Sequence, residues 1–310
     1  MVPLIPSLIV SRGKRVIAEL VPDAKHKRYD IIICAGATDE QLMAATQGTL
    51  GREGRFSDAY LIHQVDGVTY KTKISTLRGD YQKPDGTIGN RLRLWEKYDF
   101  KPRPDDIFQE RLYAIHWMRP KKRGKTFDYE FRSVTFDDLE RERIVETFID
   151  EHLADWQAKG WVPDMRIEVG GPPRYQGLDL IRARGWTHWH HLFNPRQLLV
   201  NGLISSYANS AALKLGASQA ANWNSKLSTW DGSPGVDTTH QTFYNQAINT
   251  LYTYGTRAAV ALTKPVAPDY KHFPMDESRL RVGCNPSDAV AGQFDVFITD
   301  PPYLDNVTLT

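Results

Sequence analysis

The sequence predicts an α/β fold in which a β-rich region is followed by a helical section and a terminal strand. Three observations carry that expectation. Short runs rich in Ile, Val and Tyr alternate with glycine turns up to about residue 130; a capped, periodic helical stretch follows; and a last apolar run closes the chain. This divides the chain into a β-rich region over 1–130, a capped helix with a Pro- and Gly-rich connection over 131–187, and a helical section with the terminal strand over 188–310.

The first strands are expected at Tyr29–Cys34, Ala59–His63, Val68–Lys73 and Leu112–Met118. Asp66-Gly67 between two of them is a hairpin signal, because both residues tolerate the positive φ that a tight turn requires. The helix over about 137–159 opens with Thr135 and Asp138 in capping-box spacing. Val145, Phe148, Ile149, His152 and Trp156 then recur on one face, and Glu140 to Arg143 form a solvated face. Asn194-Pro195 starts a second helix, with Leu198, Leu199, Leu203 and Tyr207 as its apolar stripe. A third is expected from about 238 to 258, with Tyr244, Ala247, Ile248 and Leu251 facing inward.

Composition removes several classes. Lys and Arg number 39 against 37 Asp and Glu, which gives no footprint of a dedicated nucleic-acid scaffold, although local basic contact stays open. Cys34 and Cys284 are too few for a disulfide framework or a four-cysteine zinc site, and both are expected as unpaired thiols. No apolar run approaches the roughly eighteen residues of a membrane span. Met1 to Ser7 carries two prolines and no cationic segment ahead of an apolar core, so neither a secretory signal nor a membrane partner is expected, and the location expected is cytoplasmic.

The chain's chemistry concentrates near its end, where Phe294-Asp295-Val296-Phe297-Ile298-Thr299 leads into Asp300-Pro301-Pro302-Tyr303. The run reads as a buried parallel strand, and the tetrapeptide sits at its carboxyl end, where open α/β sheets bind ligands. It resembles the catalytic motif of amino-methylating DNA methyltransferases. An aromatic amine is a poor nucleophile because its lone pair is delocalised into the ring. The resemblance implies that the Asp300 carboxylate and the Pro301 carbonyl accept its two N–H bonds, returning the lone pair to nitrogen. Pro301 and Pro302 would fix the backbone, and Tyr303 would stack on a base taken out of the duplex.

Three further stretches point the same way. They are Asn90-Arg91-Leu92-Arg93-Leu94-Trp95 running on to Tyr113, Leu192-Phe193-Asn194-Pro195-Arg196-Gln197-Leu198-Leu199, and Asn222-Trp223-Asn224-Ser225-Lys226-Leu227-Ser228-Thr229-Trp230. With the terminal motif they resemble, over nearly the whole chain, the interior of the large bacterial and archaeal adenine-specific DNA methylases that carry a zinc ribbon and an N-terminal domain of unknown function. The resemblance implies an incomplete Rossmann-like methyltransferase sheet, S-adenosylmethionine as cofactor, DNA as partner and adenine as the target. Cytosine presents the same kind of amine and stays open.

The departures are specific. The family's glycine-rich cofactor motif has no equivalent here. Gly170-Gly171-Pro172-Pro173 puts prolines where a helix N-terminus is needed, and Cys34-Ala35-Gly36-Ala37 lacks the repeated glycines. Zinc-ribbon cysteines are absent from Gly48 to Asp58, and seven residues follow Tyr303. A fragment inactive alone is therefore expected, with a missing upstream or downstream methyltransferase segment as partner. Two alternatives remain: a non-catalytic DNA-binding remnant, and an amino-methyltransferase acting on RNA or protein.

Other residues carry two readings each. Arg196 and Gln197 in the first turn after Pro195 reach phosphate or a base edge, or brace the loop before them. Asn224 and Ser225, between Trp223 and Trp230, belong to a base-stacking surface or to a buried aromatic layer. Pro120 to Lys125 is a solvated basic loop or a phosphate contact. His188, His190 and His191 suggest a metal, but no carboxylate or cysteine stands at supporting spacing; a structural role and no metal is expected, with nucleic-acid contact the other reading.

Overall fold

The strands are paired by short connections, so the sheets are local. A computed structural model describes residues 1–52, 59–121, 127–168, 181, 183–242 and 255–267, with isolated positions at 274, 276, 283, 292, 295, 296 and 298. Over these residues the protein is mixed α/β, with several small antiparallel sheets and six α-helices. No parallel pairing occurs among the described residues, and none of their helices is long and apolar enough to cross a membrane.

The first sheet has the order β1 (Ile9–Ser11), β2 (Val16–Asp23), β3 (Arg28–Ala35). Val16, Ile17 and Ala18 are consecutive yet all buried, because the sheet is covered on both faces at that end. Val10, Val16 and Ala18 pack with Phe131 on one side. On the other, Ile17 packs with Ala37, Leu42 and Ala45 of the segment around α1 (Asp39–Ala44). The second sheet runs β4 (Leu50–Arg52), β5 (Ala59–Val65), β6 (Val68–Lys73). Asp66 and Gly67 both take positive φ, 49° and 78°, so the expected hairpin turn forms between β5 and β6. Helix α2 (Ile74–Arg78) ends on Gly79 in the left-handed region and leads to the small pair β7 (Tyr81–Gln82) and β8 (Ile88–Gly89).

Strand β9 (Ile115–Pro120) starts three residues later than the sequence suggested and pairs with β10 (Phe127–Arg132) as a two-stranded ribbon. Helix α3 (Phe136–Ala158) has the expected box, with the Thr135 side chain accepting from the Asp138 amide. Its inward residues Val145, Ile149, Leu153 and Trp156 form the main core with Phe100, Val162 and Leu198. The last of these sits on α4 (Pro195–Tyr207), which crosses α3 closely. A Cβ on Gly202 would overlap the Trp156 ring, so glycine is what lets the two helices meet.

Two expectations for the helical section need correction. The apolar stripe of α4 is buried at Leu198 but not throughout: Leu203 is 43% and Tyr207 79% exposed. The second half of α4 turns away from the α3 core and, with α5 (Ala211–Trp223), borders an open apolar groove. The helix expected from about 238 does not begin there. Thr238–Thr239 is instead strand β12, paired with β11 (Trp230–Asp231), while Tyr244, Ala247, Ile248 and Leu251 lie outside the described residues. Helix α5, which opens on the Ser210 cap, was not expected from the sequence. A last turn, α6 (Thr263–Val266), packs on Gly216 of α5.

Candidate functional site

Asp300, Pro301, Pro302 and Tyr303 lie outside the described residues, as does Gly170–Pro173. Of the apolar run before the motif, Val296 and Ile298 are described. They are 72% and 89% exposed, so the burial expected of that strand is not found at these two positions.

The other three stretches of the resemblance converge. Lys226 extends between the rings of Trp95 and Trp186, with Nζ 4.9 and 5.1 Å from their centroids, and meets Glu110 Oε1 at 2.6 Å. Its amide donates to the Leu192 carbonyl at 2.7 Å. A fully buried ammonium is expensive unless it is paired. Burial holds the Lys226 pKa below its ordinary value, opposed by the Glu110 carboxylate. Trp95, Ile167, Trp186, Leu192 and Leu227 form the apolar walls.

Beside this hub, Arg93 forks onto Asp106 at 2.8 and 2.7 Å and also reaches Asp99, which takes Arg103 at 3.1 Å. The bidentate geometry rigidifies the 93–106 stretch and lifts the Arg93 pKa further. Gly185, at φ +76°, ties into this region through its carbonyl oxygen, which accepts from the Trp95 amide at 2.8 Å. A Cβ there would overlap the Arg93 carbonyl oxygen, a close approach open only to glycine.

The three histidines sit on a tight turn. Trp189–Leu192 is a 3₁₀ turn, which brings all three imidazoles into contact, with His190 and His191 centroids 4.4 Å apart. His191 Nδ1 accepts from the Thr187 amide at 3.1 Å and Nε2 faces the Glu96 carbonyl at 3.1 Å, so the neutral ring uses both nitrogens. Burial lowers His190 to about 4 and His191 to about 2. Among the described residues, no group of three His, Cys, Asp or Glu is placed to hold a metal ion. Cys34 is unpaired and half-buried, while Cys284 lies outside the described residues.

The remaining candidates are placed as follows. Arg196 pairs with Glu142 of α3, Nε to Oε1 at 2.7 Å, and its side chain is 36% exposed. Gln197 is fully buried and closes a capping box with Asn194, each side chain meeting the other's amide at 2.8 and 3.0 Å. Asn224 is fully buried, donating to Asn201 at 3.2 Å and accepting from the Arg257 amide at 2.9 Å. Ser225 is buried against Thr242 at 2.7 Å. Only Arg196 of these four presents an appreciable surface. Lys226 and Glu110, which organise the hub, were not singled out from the sequence; a lone lysine in a polar stretch carries no signal that it will be buried.

A cofactor loop can be tested on one described segment. Gly36, at φ +76°, follows β3 and precedes α1, the strand-turn-helix order that such loops use. The sheet there is antiparallel, α1 has six residues, and the Thr38 side chain occupies the amide of Gln41. These residues do not fit a glycine-rich S-adenosylmethionine loop. No protein-family model, curated protein or solved structure shows a significant match to the chain.

Proposed function

We propose that this chain supplies the amine-polarising motif of an S-adenosylmethionine-dependent DNA amino-methyltransferase that acts on adenine. The observation that carries the reading is Asp300-Pro301-Pro302-Tyr303 placed directly after an apolar run. The three other stretches of the same resemblance add to it, since they stand in the order in which the family carries them. Asp300 and the Pro301 carbonyl accept the two amine N–H bonds, Pro302 holds the turn, and Tyr303 stacks on the extruded base. The methyl group comes from the cofactor, for which the Gly36 turn offers no fitting site. That misfit favours one second reading, a module that binds a base through the motif without transferring a methyl group.

The experiment is transfer of a labelled methyl group to duplex DNA, RNA and protein, by the chain alone and supplemented with a segment bearing a glycine-rich cofactor loop. Transfer to DNA in the supplemented reaction, lost with Asp300→Ala, is the expected result. Transfer that survives this substitution within about tenfold sinks the assignment. Tyr303→Phe keeps the stacking face and is expected to be mild, whereas Tyr303→Ala weakens DNA binding.

A further inference from the structure

A cleft of about 310 Å³ opens beside the hub, walled by α2, the 91–110 stretch and Arg184. Its volume lies at the low end of the ~300–1,000 Å³ typical of small-molecule sites, room for one compact ligand. The wall chemistry is specific. The Arg184 guanidinium lies 5.0 Å from the Phe108 ring centroid and 5.4 Å from that of Trp186, a flat cationic plane held by aromatic rings. Arginine planes and aromatic faces in this arrangement are surfaces on which nucleobases stack.

The charges in the wall are unequally committed. Arg93 is spent on Asp106, and Glu110 on Lys226. Arg78, also in the wall, forks onto Asp80 at 3.1 and 2.6 Å. Arg91 is different: it lines the cleft, is exposed, and has no carboxylate partner among the described residues. Its backbone is pinned, the amide donating to the Arg78 carbonyl at 3.0 Å. Its methylenes lie over Gly79, where an added Cβ would press them at 3.1–3.2 Å. A pinned arginine without a carboxylate partner suits a phosphate. Asp105, exposed in the same wall, is the carboxylate that such a phosphate must avoid.

We propose that this cleft binds a nucleotide, its base against Arg184 and Phe108 and its phosphate at Arg91. The inference does not rest on the methyl-transfer reading, which uses other residues and a different assay. The same chemistry is offered by a free nucleotide and by one nucleotide unit of a single strand, and the test separates these sources.

The purified chain is titrated with adenosine monophosphate, adenosine, inorganic phosphate and a short single-stranded oligodeoxynucleotide, following tryptophan fluorescence. Trp95 and Trp186 border the cleft and report its occupancy. Saturable binding is expected with the monophosphate, the oligonucleotide or both, and about tenfold weaker with adenosine or phosphate alone. Binding of the monophosphate only identifies a free nucleotide as ligand; binding of the oligonucleotide only identifies a strand. Arg91→Ala weakens binding about tenfold, whereas Asp105→Asn tightens it severalfold, a gain that misfolding cannot imitate. Phe108→Leu keeps the volume, removes the ring, and weakens binding. No saturable binding by either the monophosphate or the oligonucleotide overturns the proposal, as does binding that neither Arg91→Ala nor Asp105→Asn changes.

Discussion

The β5–β6 hairpin and the Lys226 hub solve the same problem, how to hold chain segments together, by opposite means. In the hairpin the partners are sequence neighbours, the turn sets the register, and most of β6 is exposed. In the hub, Glu110 and Lys226 come from stretches far apart in the chain and meet beside the Trp95 and Trp186 rings. Local pairing costs little loop-closure entropy and tolerates error. Long-range pairing that buries a charge gives a unique arrangement but leaves a large penalty when that charge loses its partner. The lesson is that this molecule's vulnerability lies in its polar interior, not in its sheets.

The sharpest way to break the contrast is to orphan the buried ammonium of Lys226. Glu110→Gln is expected to cost about 3–5 kcal/mol, read from the urea midpoint, while the double variant Lys226→Met/Glu110→Gln recovers much of it. A single variant with near-parental stability would show that the pair is not what fixes the hub.

Acid should open the same region. His190 and His191 are held neutral in the fold, below their ordinary value of 6.5, so protons favour the unfolded chain. Their contribution is complete above about pH 6.5 and is lost as pH falls, down to about 4 for His190 and on toward about 2 for His191, with His190 alone worth about 3 kcal/mol by linkage. Urea midpoints across that window, compared with a His190→Asn/His191→Asn variant, give the check; a parental profile as flat as the variant's would refute it.

Two glycines with nearly the same backbone angle sharpen the comparison further. Gly185 at φ +76° faces the Arg93 carbonyl, whereas Gly67 at φ +78° has nothing near its missing Cβ. Gly185→Ala is expected to cost about 2–3 kcal/mol, adding steric overlap to the left-handed penalty. Gly67→Ala should cost about 1 kcal/mol, the conformational share alone. Thermal or urea melts of the two variants measure the difference directly, and equal losses would remove the claim that close approach, not φ, makes Gly185 essential.

Where sequence reading succeeded, the deciding interaction was local. Thr135 with Asp138, Asn194 with Pro195, and Asp66-Gly67 each place partner atoms within three residues, so one capping box, one N-cap and one turn were legible. The histidine turn and the strand at Thr238–Thr239 were not, because short apolar or polar runs take either form according to what packs on them. Arg196, Gln197, Asn224 and Ser225 were legible as polar residues at helix ends and beside tryptophans. Their burial, complete or nearly so for Gln197, Asn224 and Ser225, was not.

The sequence by itself determined strands at the places of β3, β5, β6 and β9, the caps of α3 and α4, and the unusual Asp300-Pro301-Pro302-Tyr303 motif, since each rests on neighbours along the chain. Only the tertiary structure decided that Glu110, Trp95, Trp186 and Lys226 share one cage, and that Arg91 lines a cleft without a carboxylate partner among the described residues. The physical reason is that desolvation and ion pairing depend on which distant segments exclude water from a charge, and no spacing along the chain encodes that.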